Sequence, residues 1–81
     1  MSEKHYKTSS FYLTAYLLNE GLELVNIDRT NPKRALFVFI DRQEREGLVQ
    51  NYNFGQTAMV DARKYALILR ELKAKLYMDN L

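Results

Sequence analysis

The strongest strand signal in the chain is the apolar run over residues 35–40, which reads A-L-F-V-F-I. Because side chains alternate along a strand, Phe37 and Phe39 point to one face, while Leu36, Val38 and Ile40 point to the other. A run that is apolar on both faces is typical of a strand that is buried on both sides. We therefore expect the cover to come from helices on both sides or from a second copy of the protein.

A helical pattern precedes this strand and has recognisable ends. Ser9 or Ser10 is a suitable N-cap for a helix over residues 11–20, and Gly21 stands where a left-handed C-cap residue is expected. Only three positions in this helix are polar. A helix that is apolar nearly all round is usually buried on most of its sides.

The segment over residues 22–28 alternates in part and is rich in β-branched side chains, which predicts a second strand. The turn over residues 29–33 contains an Asn-Pro pair and connects this strand to residues 35–40. Together the two strands predict a β-hairpin. A further short strand is expected over residues 56–60.

Two more helices are expected in the second half of the chain. Asp41 and Glu44 resemble a capping box and predict a short helix over residues 42–52. Asp61 is a further N-cap, and apolar residues then recur at spacings of three and four over residues 62–78. This last segment has the clearest helical period of the chain.

These elements predict an α+β fold in the order α-β-β-α-β-α, with a three-stranded sheet centred on the hairpin and packed by helices. Residues 1–8 are polar without periodicity and are expected to form a flexible N-terminus, so that residues 9–81 make one compact domain. We expect the last helix to pack on one face of the sheet. The first helix then covers the other face or a partner subunit.

The composition agrees with a folded protein, since 47% of residues are hydrophobic and 27% are charged. The absence of cysteine excludes disulfides and thiolate sites, and it favours a reducing cytosol. No apolar stretch reaches the ~20 residues that span a membrane, and the start lacks the apolar core of a signal peptide. We therefore expect a soluble cytoplasmic protein.

The chain offers little for catalysis. Its single histidine, His5, lies in the segment expected to be flexible, and the acids Asp41 and Asp61 are explained as helix caps. The three glycines form no phosphate loop, and no metal-ligand spacing occurs. We expect no enzyme activity, no cofactor, no metal and no small-molecule substrate.

Two groups of basic residues are candidates for contact with phosphates. One group lies in the hairpin turn and the other on the last helix, against a formal net charge of only +2. The alternative is an ordinary solvated surface, in which late basic residues favour the helix C-terminus. The candidate nucleic-acid-binding residues are Arg29, Lys33, Arg34, Arg63, Arg70 and Lys73.

The chain also holds six tyrosines and four phenylalanines, which is a large number for 81 residues. Tyr12 and Tyr16 form an i, i+4 pair on the first helix, where exposed rings would offer stacking surfaces and buried rings would line the edge of the core. Leu67 projects between Arg63 and Arg70 on the polar side of the last helix. Tyr12, Tyr16 and Leu67 are the candidate partner-binding residues.

Three segments carry a resemblance to a known family: F-Y-L-T-A-Y-L-L-N-E-G-L-E-L at 11–24, F-V-F-I-D at 37–41 and L-R-E-L-K at 69–73. The run from Phe11 to Tyr77 resembles a family of small bacterial and phage-associated proteins classified as a domain of unknown function. The resemblance implies a compact intracellular α+β domain, often a short stand-alone protein of phage or mobile-element gene sets. It supplies no catalytic residue and no ligand.

Two functional hypotheses follow. The first is a small non-catalytic binding module for nucleic acid, of the accessory type found in phages or mobile elements, which uses the basic residues against phosphates. The second is a homodimeric interaction or adaptor domain, because the apolar faces exceed the elements available to cover them. Convergence of the basic side chains and exposure of the candidate partner residues distinguish the two.

Overall fold

The computed structural model describes residues 4–31, 33–54 and 61–78. Three strands and three helices follow one another in this part of the chain. They are β1 His5–Thr8, α1 Phe11–Asn19, β2 Leu24–Asp28, β3 Leu36–Ile40, α2 Arg45–Phe54 and α3 Ala62–Met78.

The sheet has the strand order β1-β3-β2, and both pairings are antiparallel. The α+β class, the three-stranded sheet and the predicted hairpin of β2 and β3 are confirmed, with β3 in the centre. The predicted strand over residues 56–60 lies outside the described residues. Among those described, the third strand is instead His5–Thr8, within the terminus that was expected to be flexible.

The pairing of β1 with β3 explains how residues 5–8 join the sheet. Tyr6 is opposite Phe39 and Thr8 is opposite Phe37, so these two β1 side chains face the core and are half-buried, while His5 and Lys7 are exposed. A four-residue strand at the edge of a sheet has too short a pattern to stand out locally. Its structure depends on the neighbour that it pairs with.

The core lies between one face of the sheet and the helices. Phe37 and Phe39 are buried in a cluster with side chains from α1 and with Leu72 of α3, and apolar residues of α2 pack against the same cluster. The first and last helices therefore share one face of the sheet, and the expectation that α1 covers the opposite face is wrong. The apolar circumference of α1 is used instead against the sheet, α2 and α3 together.

The other face of β3 lies outside this helical core. Val38 is buried, and its register partners are Lys7 in β1 and Asn26 in β2. Leu36 and Ile40, at the ends of the strand, are only half-buried. On this face, burial is thus complete only at Val38, in the middle of the strand, where β1 and β2 flank its small side chain.

Both ends of α1 follow the predicted capping. The Ser10 Oγ accepts a hydrogen bond from the Leu13 amide at 3.1 Å, which satisfies a free amide of the first turn. Gly21 has a φ of 97°, a left-handed conformation that glycine adopts without strain from a Cβ atom. The caps fix where the helix begins and where the chain turns towards β2.

The start of α2 differs from the prediction of a capping box at Asp41. The Asp41 carboxylate accepts a hydrogen bond from the Arg45 side chain at 2.9 Å, and α2 begins only at Arg45 rather than at the predicted residue 42. The Arg45 guanidinium also lies 4.4 Å from the centre of the Tyr6 ring, a cation–π geometry. The arginine therefore connects β1, the end of β3 and the start of α2.

Candidate functional site

A groove of about 560 Å³ opens on the surface between the start of α1 and the second half of α3. It combines aromatic, aliphatic and basic side chains, and we call it the aromatic groove. Its lining residues are Phe11, Tyr12, Leu69, Arg70, Lys73, Leu76 and Tyr77.

The wall formed by α1 is held by contacts with the core. The Phe11 ring lies 6.4 Å from the Phe37 ring, at an interplanar angle of 68°. The Tyr12 ring in turn lies 5.4 Å from the Phe11 ring and nearly perpendicular to it, at 89°. Such edge-on pairs are favourable arrangements of aromatic rings. Although the Tyr12 side chain is 60% exposed, its ring is positioned by this chain of contacts.

A hydrogen bond from α3 supports the same wall. The Tyr65 hydroxyl donates to the Tyr12 backbone carbonyl at 3.3 Å. Burial raises the pKa of Tyr65 above its ordinary value, and the neighbouring Tyr52 and Tyr12 raise it further. The hydroxyl therefore keeps its proton at neutral pH and remains a donor to the wall of the groove.

The wall formed by α3 carries the charge. Arg70, Lys73 and Tyr77 are exposed and lie three, four and seven residues apart, so they occupy one strip of the helix surface. Leu72 of the same helix is buried in the core and fixes the rotation of α3 about its axis. Within residues 4–31, 33–54 and 61–78, neither Arg70 nor Lys73 has an acidic side chain at ion-pair distance. Both cations are therefore available to an anionic ligand.

The hairpin turn is joined to this end of α3. The Arg29 guanidinium donates a hydrogen bond to the Leu76 carbonyl at 2.6 Å, and Leu76 lines the aromatic groove. A cation at the last carbonyls of a helix is favoured by the helix dipole. Lys33 and Arg34 follow in the same turn, and both are exposed. The structure thus places the hairpin turn beside the end of α3 that follows Arg70 and Lys73.

Arg63 is the candidate that stands apart. It lies in the first turn of α3, about 10 Å along the helix from Arg70 at 1.5 Å per residue, and it does not line the groove. Leu67 lies between them on the exposed side of the helix, with 52% of its surface accessible. These two residues extend the strip of Arg70 away from the groove rather than forming part of it.

Tyr16 does not belong to an exposed partner surface. Only 5% of its surface is accessible, and its ring lies 5.6 Å from the Tyr52 ring of α2. Burial raises the pKa of its hydroxyl, and the nearby Glu20 carboxylate raises it further. Tyr12 lies one helical turn before Tyr16, yet α2 covers Tyr16 and leaves Tyr12 at the surface.

Sequence reasoning missed two aromatic residues of the groove, Phe11 and Tyr77. For Tyr77 the signal was present, because it lies four residues after Lys73 and seven after Arg70 on a helix with a clear apolar period. For Phe11 no local signal existed. Its position in the groove depends on how α1 and α3 pack together.

The groove combines two binding capacities. Its aromatic rings offer flat apolar surfaces, and its Arg and Lys side chains offer positive charge. Such a combination suits a ligand that has both planar rings and anionic groups.

In the part of the chain that the structure describes, no group of three or more histidine and carboxylate side chains stands close enough to hold a metal ion. None of the helices in the same residues has the length and apolar character that crossing a membrane requires.

Comparison with known proteins identifies the family. Neither the curated proteins nor the solved structures gave a match to this chain. A family model, described as a domain of unknown function (DUF5659), matches residues 3–78, which include every described helix and strand. The chain belongs to this family, the domain of unknown function DUF5659.

Proposed function

We propose that this protein is a small non-catalytic module that binds nucleic acid through the aromatic groove and the adjoining hairpin turn. The observation that carries the proposal is the convergence of Arg70 and Lys73 with exposed tyrosines in one groove. The hydrogen bond from Arg29 to Leu76 extends the same basic surface to the hairpin. Phosphate contacts from such residues supply affinity, and their effect depends on salt.

The test is a titration of fluorescently labelled oligonucleotides, followed by anisotropy at two salt concentrations. Binding is expected at low salt and should weaken as salt rises, because each phosphate contact releases counterions. The double variant Arg70→Glu with Lys73→Glu should reduce affinity by about tenfold or more. It should also make the slope of log affinity against log salt concentration shallower, by the amount expected for the loss of about two phosphate contacts.

A matched control reverses two charges at the opposite end of the sheet. Lys4 and Arg42 are exposed and flank Asp41, whose amide donates to the Lys4 carbonyl, beyond the far end of β3. The variant Lys4→Glu with Arg42→Glu has the same change in net charge and should bind far better than the groove variant. Absence of binding by the unaltered protein to single-stranded and duplex DNA and RNA at low salt would refute the proposal.

A second candidate function is a homodimeric interaction or adaptor domain. Leu67 supports it, because this large apolar side chain is half exposed between Arg63 and Arg70 on the outer side of α3. Sedimentation equilibrium at micromolar concentration should then give twice the monomer mass, and Leu67→Glu should return the mass to that of a monomer. A monomeric mass for the unaltered protein would exclude this candidate.

The cellular setting is part of the proposal. The lack of cysteine favours a reducing cytoplasm, and the sequence resemblance suggests a bacterial or phage-related accessory role. Fractionation of cells that express the protein should recover it in the cytoplasmic fraction. Recovery in a membrane or extracellular fraction would contradict this assignment.

A further inference from the structure

Two exposed tyrosines stand on opposite walls of the aromatic groove. Tyr12 on α1 and Tyr77 on α3 are 60% and 62% exposed, respectively. Neither ring is needed to fill the core, whose buried members lie elsewhere on the same helices. Large aromatic surfaces left in water on both sides of one groove offer contacts to a ligand rather than to the protein interior.

The Tyr12 ring is also prepared for contact before any ligand arrives. Phe11 holds it on one side, and Phe37 connects Phe11 to the central strand. A ring that already packs against a neighbour loses less conformational entropy when a flat ligand stacks on it than a ring without such a contact. This arrangement favours a planar apolar ligand surface at Tyr12.

The basic residues of the groove specify what must accompany that planar surface. Lys73 lies one helical turn before Tyr77, and Arg70 lies almost one further turn before Lys73. The wall formed by α3 therefore carries two cations followed by one ring, and the second exposed ring, Tyr12, stands on the wall formed by α1. A single nucleic-acid strand offers a partner for both kinds of side chain, because each flat base is attached to a backbone that carries one negative phosphate.

A duplex does not fit this arrangement equally well. Its bases are already stacked on one another, so that a tyrosine reaches a base face only after the base has been unstacked, which costs a few kcal/mol. The groove volume, about 560 Å³, is on the scale of a small-molecule site and suits a few unpaired nucleotides.

We infer that the aromatic groove takes single-stranded nucleic acid, with unpaired bases stacked on Tyr12 and Tyr77 and the backbone phosphates held by Arg70 and Lys73. This inference rests on the proposed nucleic-acid function and adds the form of the ligand. It also assigns separate tasks to the two kinds of side chain: the tyrosines select the single strand, and the cations attract any polynucleotide.

The experiment compares a labelled single strand with the duplex of the same sequence, in one arm with DNA and in another with RNA, at low salt. The unaltered protein should bind the single strand in at least one arm at least tenfold more tightly than the matching duplex. Tyr12→Leu and Tyr77→Leu keep an apolar side chain but remove the stacking ring. Each should weaken single-strand binding by about 5- to 100-fold and leave the weaker duplex binding nearly unchanged.

Matched variants keep the result interpretable. Tyr12→Phe and Tyr77→Phe retain the ring and should bind the single strand nearly as well as the unaltered protein. Because both tyrosines are exposed, thermal unfolding followed by circular dichroism should show similar melting temperatures for all four variants. A loss of binding confined to the leucine variants then reports on stacking.

The outcomes separate the inference from the proposed function. Equal affinity for single strand and duplex, or leucine variants that bind the single strand normally, would overturn the inference, while the effect of reversing Arg70 and Lys73 would still support nucleic-acid binding. An equal loss of single-strand and duplex binding in the leucine variants would also overturn selection by stacking. No binding to any oligonucleotide at low salt would overturn both.

Discussion

The two tyrosines of the first helix show how neighbouring residues of one type acquire different tasks. Tyr16 packs against Tyr52 and belongs to the core, whereas Tyr12 stands in the wall of the groove. An i, i+4 spacing places both on one side of a helix, so the sequence alone treats them alike. Only the position of α2 over the later turn decides which ring meets water.

At the same scale, the pair of Asp41 and Arg45 predicts how stability depends on pH. The hydrogen bond and charge of Arg45 hold the pKa of Asp41 below its ordinary value, and Asp41 holds the pKa of Arg45 above its own. A carboxylate whose pKa is lower in the folded state stabilises the fold above its unfolded pKa, near 4. That contribution is lost as pH falls through the folded pKa.

The corresponding variant is Asp41→Asn. It should lower the free energy of unfolding by about 0.5–1 kcal/mol at neutral pH, because the pair is partly exposed and its net value is small. The difference from the unaltered protein should shrink as the pH falls below about 4. Urea denaturation at a series of pH values measures it, and a difference that stays constant to about pH 2 would contradict the assignment.

At the scale of elements, the sequence predicted best where a period and a cap agreed. The periodic run from Ala62 to Met78 matches α3, and Asp61 caps it by accepting from the Arg63 and Lys64 amides at 3.0 and 3.2 Å. The sequence did not predict the pairing of Asp41 with Arg45. It also did not predict β1, whose four residues become a strand only by pairing with β3. Local signals cannot report contacts between distant segments.

Two glycines test this account of the elements with opposite signs. Gly21→Ala should destabilise the protein by about 1–2 kcal/mol, because alanine must adopt the left-handed conformation at a φ of 97°. Gly47→Ala, in the interior of α2, should stabilise it by about 0.5–1 kcal/mol.

No heavy atom outside the local backbone lies within 4 Å of a Cβ atom built at either glycine, so steric clashes do not confuse the comparison. Chemical denaturation of both variants measures the changes in free energy. A loss of similar size at both positions would show that space, rather than backbone conformation, decides the effect.

At the scale of the whole molecule, the candidate site depends on packing that no single segment encodes. The groove needs the antiparallel neighbourhood of α1 and α3, which Lys64 reinforces by donating to the Asn19 carbonyl at 3.1 Å. The hairpin joins the same end through Arg29. The basic residues therefore appear in the sequence as separate groups, while the convergence of Arg70 and Lys73 with Tyr12 and Tyr77 appears only in the folded chain.

The most direct test of this convergence is a titration of the ¹⁵N-labelled protein with a short single-stranded oligonucleotide, followed by amide chemical shifts. The account predicts that the largest shift changes fall on the amides of Tyr12, Arg70, Lys73 and Tyr77, with smaller changes at the hairpin residues Lys33 and Arg34. Shift changes concentrated at the far end of β3, or no changes at all at low salt, would contradict it.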